Sequence, residues 1–306
     1  MSGIRAHILG WFGLVALACA DEPPAIIDCH VHLWDIARPA GLGWIKKDDK
    51  TLNRSFLPAD HESIARTHGV SGTIVVQAGQ SLPDNQWNLD ITAHNPRLYR
   101  GIVGNFSETI GTPAFQTLFE KLCENPRYLG YRLSGRYQEK LTDAFFADLR
   151  LTAQKGRAVD FLTGGYRLED ITEIARRVPE LRILINHLGG VKLDGKPLAA
   201  AWVEQFRALA KQPNVHCKVS ALFGRWKKQP APQDIAAYTE VLDLALESFG
   251  EDRLIFGSDW PVTEQTADYA AVLRLTRAYF DRKGPAISVK LFHQNAAAFY
   301  RPPVPK

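Results

Sequence analysis

Eight short runs rich in valine, isoleucine and aromatic residues recur along the chain, and between them apolar residues return every three or four positions. The runs are AIIDCHVH (25–32), GTIVVQA (72–78), YRGIVGNF (99–106), LGYRLSG (129–135), RAVDFLTG (157–164), RILINHLG (182–189), NVHCKVSA (214–221) and RLIFGSDW (253–260). The intervening segments close on helix stops such as Gly69, Pro96, Pro126, Gly156 and Gly250. Strands that alternate with helices of about ten residues or more have to pair in parallel, because a parallel pair needs so long a crossover. Eight such units in 306 residues predict an α/β chain of one domain, a (βα)8 TIM barrel. A doubly wound open sheet would carry a glycine-rich phosphate turn after its first strand, and Cys29-His30-Val31-His32 stands there instead.

The N-terminus departs from this pattern. Arg5 precedes an apolar stretch from Ile8 to Leu17, followed by Ala18-Cys19-Ala20 and Asp21. The stretch is too short to span a bilayer comfortably and fits an export signal over residues 1–20, leaving 21–306 as the barrel domain. The protein is therefore expected to be exported, periplasmic or secreted. Lipid attachment at Cys19 is the weaker option, since Ala16 stands where a lipoprotein signal carries leucine. A net charge of +4 without a Lys/Arg block argues against nucleic acid, and no membrane contact is expected beyond the signal. Cys29, Cys123 and Cys217 are odd in number and widely spaced, which implies no disulfide framework.

In a barrel of this kind the carboxyl ends of the strands share one mouth. His30, His32, Gln77, Asn105, Arg132, Asn186, His187, Lys218, Ser220, Ser258, Asp259 and Trp260 all fall at such ends. Period two puts His30 and His32 on one face, where two neutral imidazole nitrogens can converge on a metal ion or a substrate oxygen. A structural histidine pair is the plainer reading of that spacing taken alone, and His187 and Asp259 at two further ends weigh against it. Asp259 could also serve merely as a helix cap beside Pro261. His61 and His68 in HESIARTH miss the HExxH spacing, so an exposed helix face is expected there, and His216 reads as structural.

These segments resemble the amidohydrolase superfamily, specifically its amidohydrolase-2 branch with sugar-acid and pyrone-dicarboxylate lactonases. IIDCHVHLWD, FLPADHESIARTHGVSGTIVVQA, QWNLDITAHNP, LGYRLSG, LINHLGG, NVHCKVSAL, DRLIFGSDWPV and NAAAFY carry the likeness in order. The resemblance implies a hydrolase opening a cyclic ester, the lactone of a sugar acid, with Asp259 as general base and His30, His32 and His187 polarising the carbonyl. Binuclear relatives carry a bridging Lys or Glu on strand 4, where this chain has Tyr131-Arg132, so at most one divalent ion is expected. That ion, Zn²⁺ by its ligand types, would be held by His30, His32, His187 and Asp259. The alternative is a metal-free site in which the histidines polarise the carbonyl themselves. A small-molecule substrate, a lactone or sugar acid, would meet the planar fork of Arg132, the Gln77 amide, and flat faces from Trp34, Trp87, Tyr166 and Trp260. Two rival functions share the site: a metal-dependent non-oxidative decarboxylase of the same branch, and an exported sugar-binding barrel without catalysis.

Overall fold

The computed structural model describes residues 25–39, 41–135 and 142–304. The expected export signal and Cys19 lie outside the described residues. The strands are β1 (Ile26–Val31), β2 (Val70–Val76), β3 (Tyr99–Asn105), β4 (Tyr128–Leu133), β5 (Ala158–Phe161), β6 (Arg182–Ile185), β7 (Val215–Val219) and β8 (Leu254–Phe256). Each pairs in parallel with the next, in sequence order. Helices such as Pro58–Thr67, Leu168–Arg177 and Thr239–Phe249 form the crossovers. This is the (βα)8 barrel the alternation predicts. No helix among the described residues is long and apolar enough to cross a membrane.

Residues beside Trp260 close the cylinder. Trp260 bridges Val31, His32 N–H donates to the Trp260 carbonyl at 2.8 Å, and Asp259 N–H donates to the His30 carbonyl at 2.8 Å. The buried Asp28 carboxylate reinforces the seam by accepting from His30 N (3.1 Å), Ser258 N (2.9 Å) and Tyr269 OH (3.0 Å). Burial raises its pKa even against these bonds. At Gly257 the two chains approach so closely that a Cβ would lie 2.6 Å from the His30 Cβ.

Strands β5, β6 and β8 end earlier than their sequence runs suggest, at Phe161, Ile185 and Phe256. Beyond β6 and β8 the backbone turns left-handed, with φ of 54° at His187 and 65° at Asp259. A left-handed residue cannot continue the ladder, so the polar ends of these runs belong to the mouth. Inside the barrel, Ile27, Ile74, Val103, Leu129 and Leu184 pack on Phe299 and Tyr300 of the C-terminal helix Asn295–Tyr300. That helix floors the barrel and leaves the opposite end for the site.

Candidate active site

Three imidazoles converge on one carboxylate oxygen at the mouth. The Nε2 atoms of His30, His32 and His187 lie 3.5, 3.4 and 3.9 Å from Asp259 Oδ1. Barrel closure brings β1 against the end of β8, and the left-handed turn after β6 swings His187 inward. The other ring nitrogens are tied down: His32 Nδ1 to the Val76 carbonyl at 2.8 Å, His187 Nδ1 to Ser220 Oγ at 2.8 Å, and His30 Nδ1 to Lys218 Nζ at 3.2 Å. A carbonyl only accepts, so His32 carries a proton on Nδ1. An ammonium only donates, so in neutral His30 the proton sits on Nε2, facing Asp259.

Burial holds the His30 pKa well below the ordinary histidine value, with the charge of Lys218 the next contribution. His187 is pushed down to about 3, again chiefly by burial, and Asp259 only partly opposes this. Burial alone would raise the Asp259 carboxyl, but His187, His32 and Arg132 together outweigh it and hold the group below its ordinary value. The site at neutral pH is thus an ionised carboxylate beside neutral His30 and His187, an arrangement that can take a proton from water.

Behind His30 lies a charged network that the strand-end reading did not assemble. Lys218 Nζ donates to Asp160 Oδ2 at 2.8 Å, both side chains being 0 % exposed, and Tyr300 OH donates to the same carboxylate at 2.9 Å. Lys218 was visible as a polar strand end, whereas Asp160 lies within an apolar run and Tyr300 at the far end of the chain. Nothing local in the sequence links them.

A cavity of about 620 Å³ opens above the cluster. His32, His187, Asp259 and Arg132 line it, and so do Arg225, Lys192 and Trp44, which were not among the residues singled out from the sequence. Arg132 is buried, its Nη2 donates to the Gln77 carbonyl at 2.8 Å, and burial brings its pKa to about 10, so it stays charged. The Gln77 amide is buried and both its polar atoms lack a partner. Trp34, Tyr166 and Trp260, expected as flat faces for substrate, are at most 2 % exposed and face the core. Trp34 donates to the Arg54 carbonyl, Trp260 donates to Glu264, and Tyr166 packs edge-on against Phe161. Trp87 lies outside this cavity, under the Arg38 guanidinium at 4.4 Å. The flat face at the mouth is Trp44, 46 % exposed and fixed by an Nε1–H bond of 2.9 Å to the Ala78 carbonyl. His61 also departs from expectation: it is buried against Tyr99 and Trp260, because it lies on the inner face of helix Pro58–Thr67.

A (βα)8 barrel with three histidines and an aspartate gathered at its strand ends has the groups that can activate water. The chain belongs to the amidohydrolase family, whose model matches residues 27–301. It is 31% identical over 284 residues to an L-fucono-1,5-lactonase of Burkholderia ambifaria, covering 90% of this chain and 95% of the relative. An L-fucono-1,5-lactonase of Burkholderia multivorans is 29% identical over 300 residues, covering 91% of this chain and 97% of the relative. Among solved structures, an amidohydrolase from Burkholderia multivorans with bound Zn superposes with a TM-score of 0.79 at 25% identity, over 91% of this chain and 100% of that one.

The residues present fit a single metal ion of this family. Ligand atoms of His30, His187 and Asp259 lie within 4.8 Å of one another, and the His30 Nε2 is buried without a hydrogen-bond partner. Imidazole nitrogen with carboxylate oxygen is a donor set suited to Zn²⁺. Strand β4 offers Tyr131 and Arg132, and neither supplies the bridge a second ion would need.

Proposed function

We propose that this hydrolase opens the lactone of a sugar acid, with Asp259 as general base. The observation that carries the reading is the convergence of three imidazoles on Asp259 Oδ1, at 3.4 to 3.9 Å, at the wall of an open cavity. Water beside the Asp259 carboxylate gives up a proton as its oxygen attacks the lactone carbonyl carbon. Arg132 lines the same cavity with donors beyond the one it gives the Gln77 carbonyl, and these can meet the developing oxyanion. Asp259 then returns the proton to the ring oxygen as the carbon–oxygen bond breaks, and the open hydroxy acid leaves. A divalent ion held by His30, His32, His187 and Asp259 would supply Lewis-acid polarisation of the carbonyl. His30 joins such an ion only by losing its Nε2 proton, which the Lys218 contact opposes.

The test is a pH-indicator assay on a panel of aldonolactones, before and after chelation, with elemental analysis of the same protein. Acid release by the wild type should fall about 10²- to 10⁴-fold in Asp259→Asn with an unchanged circular dichroism spectrum. Undiminished hydrolysis in that variant defeats the mechanism. Chelation-sensitive release of carbon dioxide from aromatic acids, with no lactone cleaved, would mark a decarboxylase instead. The export signal expected over residues 1–20 supports an enzyme that acts outside the cytoplasm, and an N-terminus at Asp21 in exported protein checks that.

A further inference from the structure

The cavity carries more positive charge than the hydrolysis of a neutral lactone uses. Arg132, Arg225 and Lys192 line it, and Asp259 is the one carboxylate among its described lining residues. Among the described residues none of these three cations takes part in an ion pair. Arg132 is 8 % exposed and spends one donor on the Gln77 carbonyl, while its Nε has no partner. The Arg225 Nε is likewise buried and unpartnered, and burial lowers the pKa of this guanidinium, with Asp259 the opposing charge. Three cations facing one carboxylate leave net positive charge at the cavity, and a planar carboxylate is the partner a guanidinium's donor geometry matches.

Resting on the lactonase reading, we propose that the substrate is an anionic lactone, one that keeps a free carboxylate on the ring or its side chain, and that Arg225 is a specificity-determining contact for that carboxylate. Arg132 projects from β4 and donates to the Gln77 carbonyl, and the Asp259 charge acts on it as on Arg225. Arg225 lies in the short 3₁₀ turn Phe223–Arg225 after β7, and Lys192 follows the left-handed turn after β6. Together they form the cationic side of the cavity. A neutral aldonolactone would leave their charge unmet, whereas the monolactone of an aldaric acid would place a carboxylate against it.

The experiment compares matched lactones that differ only in a terminal CH₂OH or carboxylate, and reads kcat/KM at low and high potassium chloride. Calorimetric titration of the open aldarate dianion and aldonate monoanion runs in parallel. The carboxylate-bearing lactone should be preferred by about 10-fold or more, as expected from one charge-assisted hydrogen bond, and salt should narrow the ratio. Arg225→Gln should narrow it as well, and the dianion should bind the wild type more tightly than the monoanion does. Equal or better cleavage of the neutral lactone overturns the inference and leaves the lactonase reading intact. If neither lactone is cleaved, the lactonase reading falls, and the titration decides the anion preference alone: a dianion bound no more tightly than the monoanion refutes it.

Discussion

Asp259 and His187 share a left-handed backbone that L residues adopt at a cost of about 1 to 3 kcal/mol each. At Asp259 the strain is held by backbone bonds on both sides, its own N–H on the His30 carbonyl and its carbonyl accepting from Thr263 N. This turn aims the carboxylate back over the barrel axis, and it rules out the helix-cap alternative, because the 3₁₀ turn Val262–Gln265 is capped from Pro261 with no side-chain bond. The pH dependence follows from the same geometry. As the proposed base, Asp259 must be ionised, and its pKa lies below the ordinary carboxylate value, so its protonation removes activity only as pH falls through the acid range. His187, at about 3, stays neutral down to that range. The acid limb of a kcat/KM profile should therefore fall below the ordinary carboxylate value. An acid limb centred above the ordinary carboxylate value would show that Asp259 is not held down as its neighbours indicate.

Among the elements, the connection from β1 to helix Pro58–Thr67 brings Trp44 to the cavity. Trp34 and Phe56 exchange backbone hydrogen bonds at 2.9 and 2.8 Å, pinching its base, and Arg38 pairs with Asp84 at 2.8 Å while lying over Trp87. Gln265 Nε2 holds Asp49 at 2.7 Å from the opposite rim. These ties keep Trp44 over the cavity. Arg38→Ala should loosen the segment, seen as faster amide exchange across residues 41–50, with a stability loss of about 1 to 2 kcal/mol. Unchanged exchange there would show that the Trp44 indole bond suffices to hold the cover. The sequence shows Trp34 and Trp44 in this connection, but which ring faces solvent depends on how it folds back. Trp34 enters the core through its pairing with Phe56, and Trp44 is left at the edge.

Across the whole molecule, the Lys218–Asp160–Tyr300 network joins β7, β5 and the C-terminal helix beneath His30. Two opposite charges in a dry interior depend on each other: losing one leaves the other unpaired. Lys218→Met should cost about 3 to 5 kcal/mol, read from the midpoint of denaturant unfolding. Adding Asp160→Leu should recover a substantial part of that loss, because the stranded carboxylate is removed with its partner. If Lys218→Met leaves stability unchanged, the pair does not contribute as its burial indicates.

The fold was legible because barrel architecture follows from a local pattern: eight apolar runs, each long enough for one strand, separated by stretches long enough for a helix. Once the runs are counted, the strand-end rule places His30, His32, His187 and Asp259 at one mouth without any coordinate, since side-chain alternation along a strand is a local property. Tertiary structure alone decided what depends on meetings between distant segments. It settled which tryptophan is exposed, that Asp160 and Tyr300 stand behind Lys218, and that Arg225 and Lys192 turn toward the cavity. Those outcomes depend on loop paths and barrel closure, where the free energy of burying one ring or pairing one charge is set by a neighbour far away in the chain. The histidine pair is therefore placed by spacing, while the proton on His30 is assigned by a lysine on β7, six strands further along the chain.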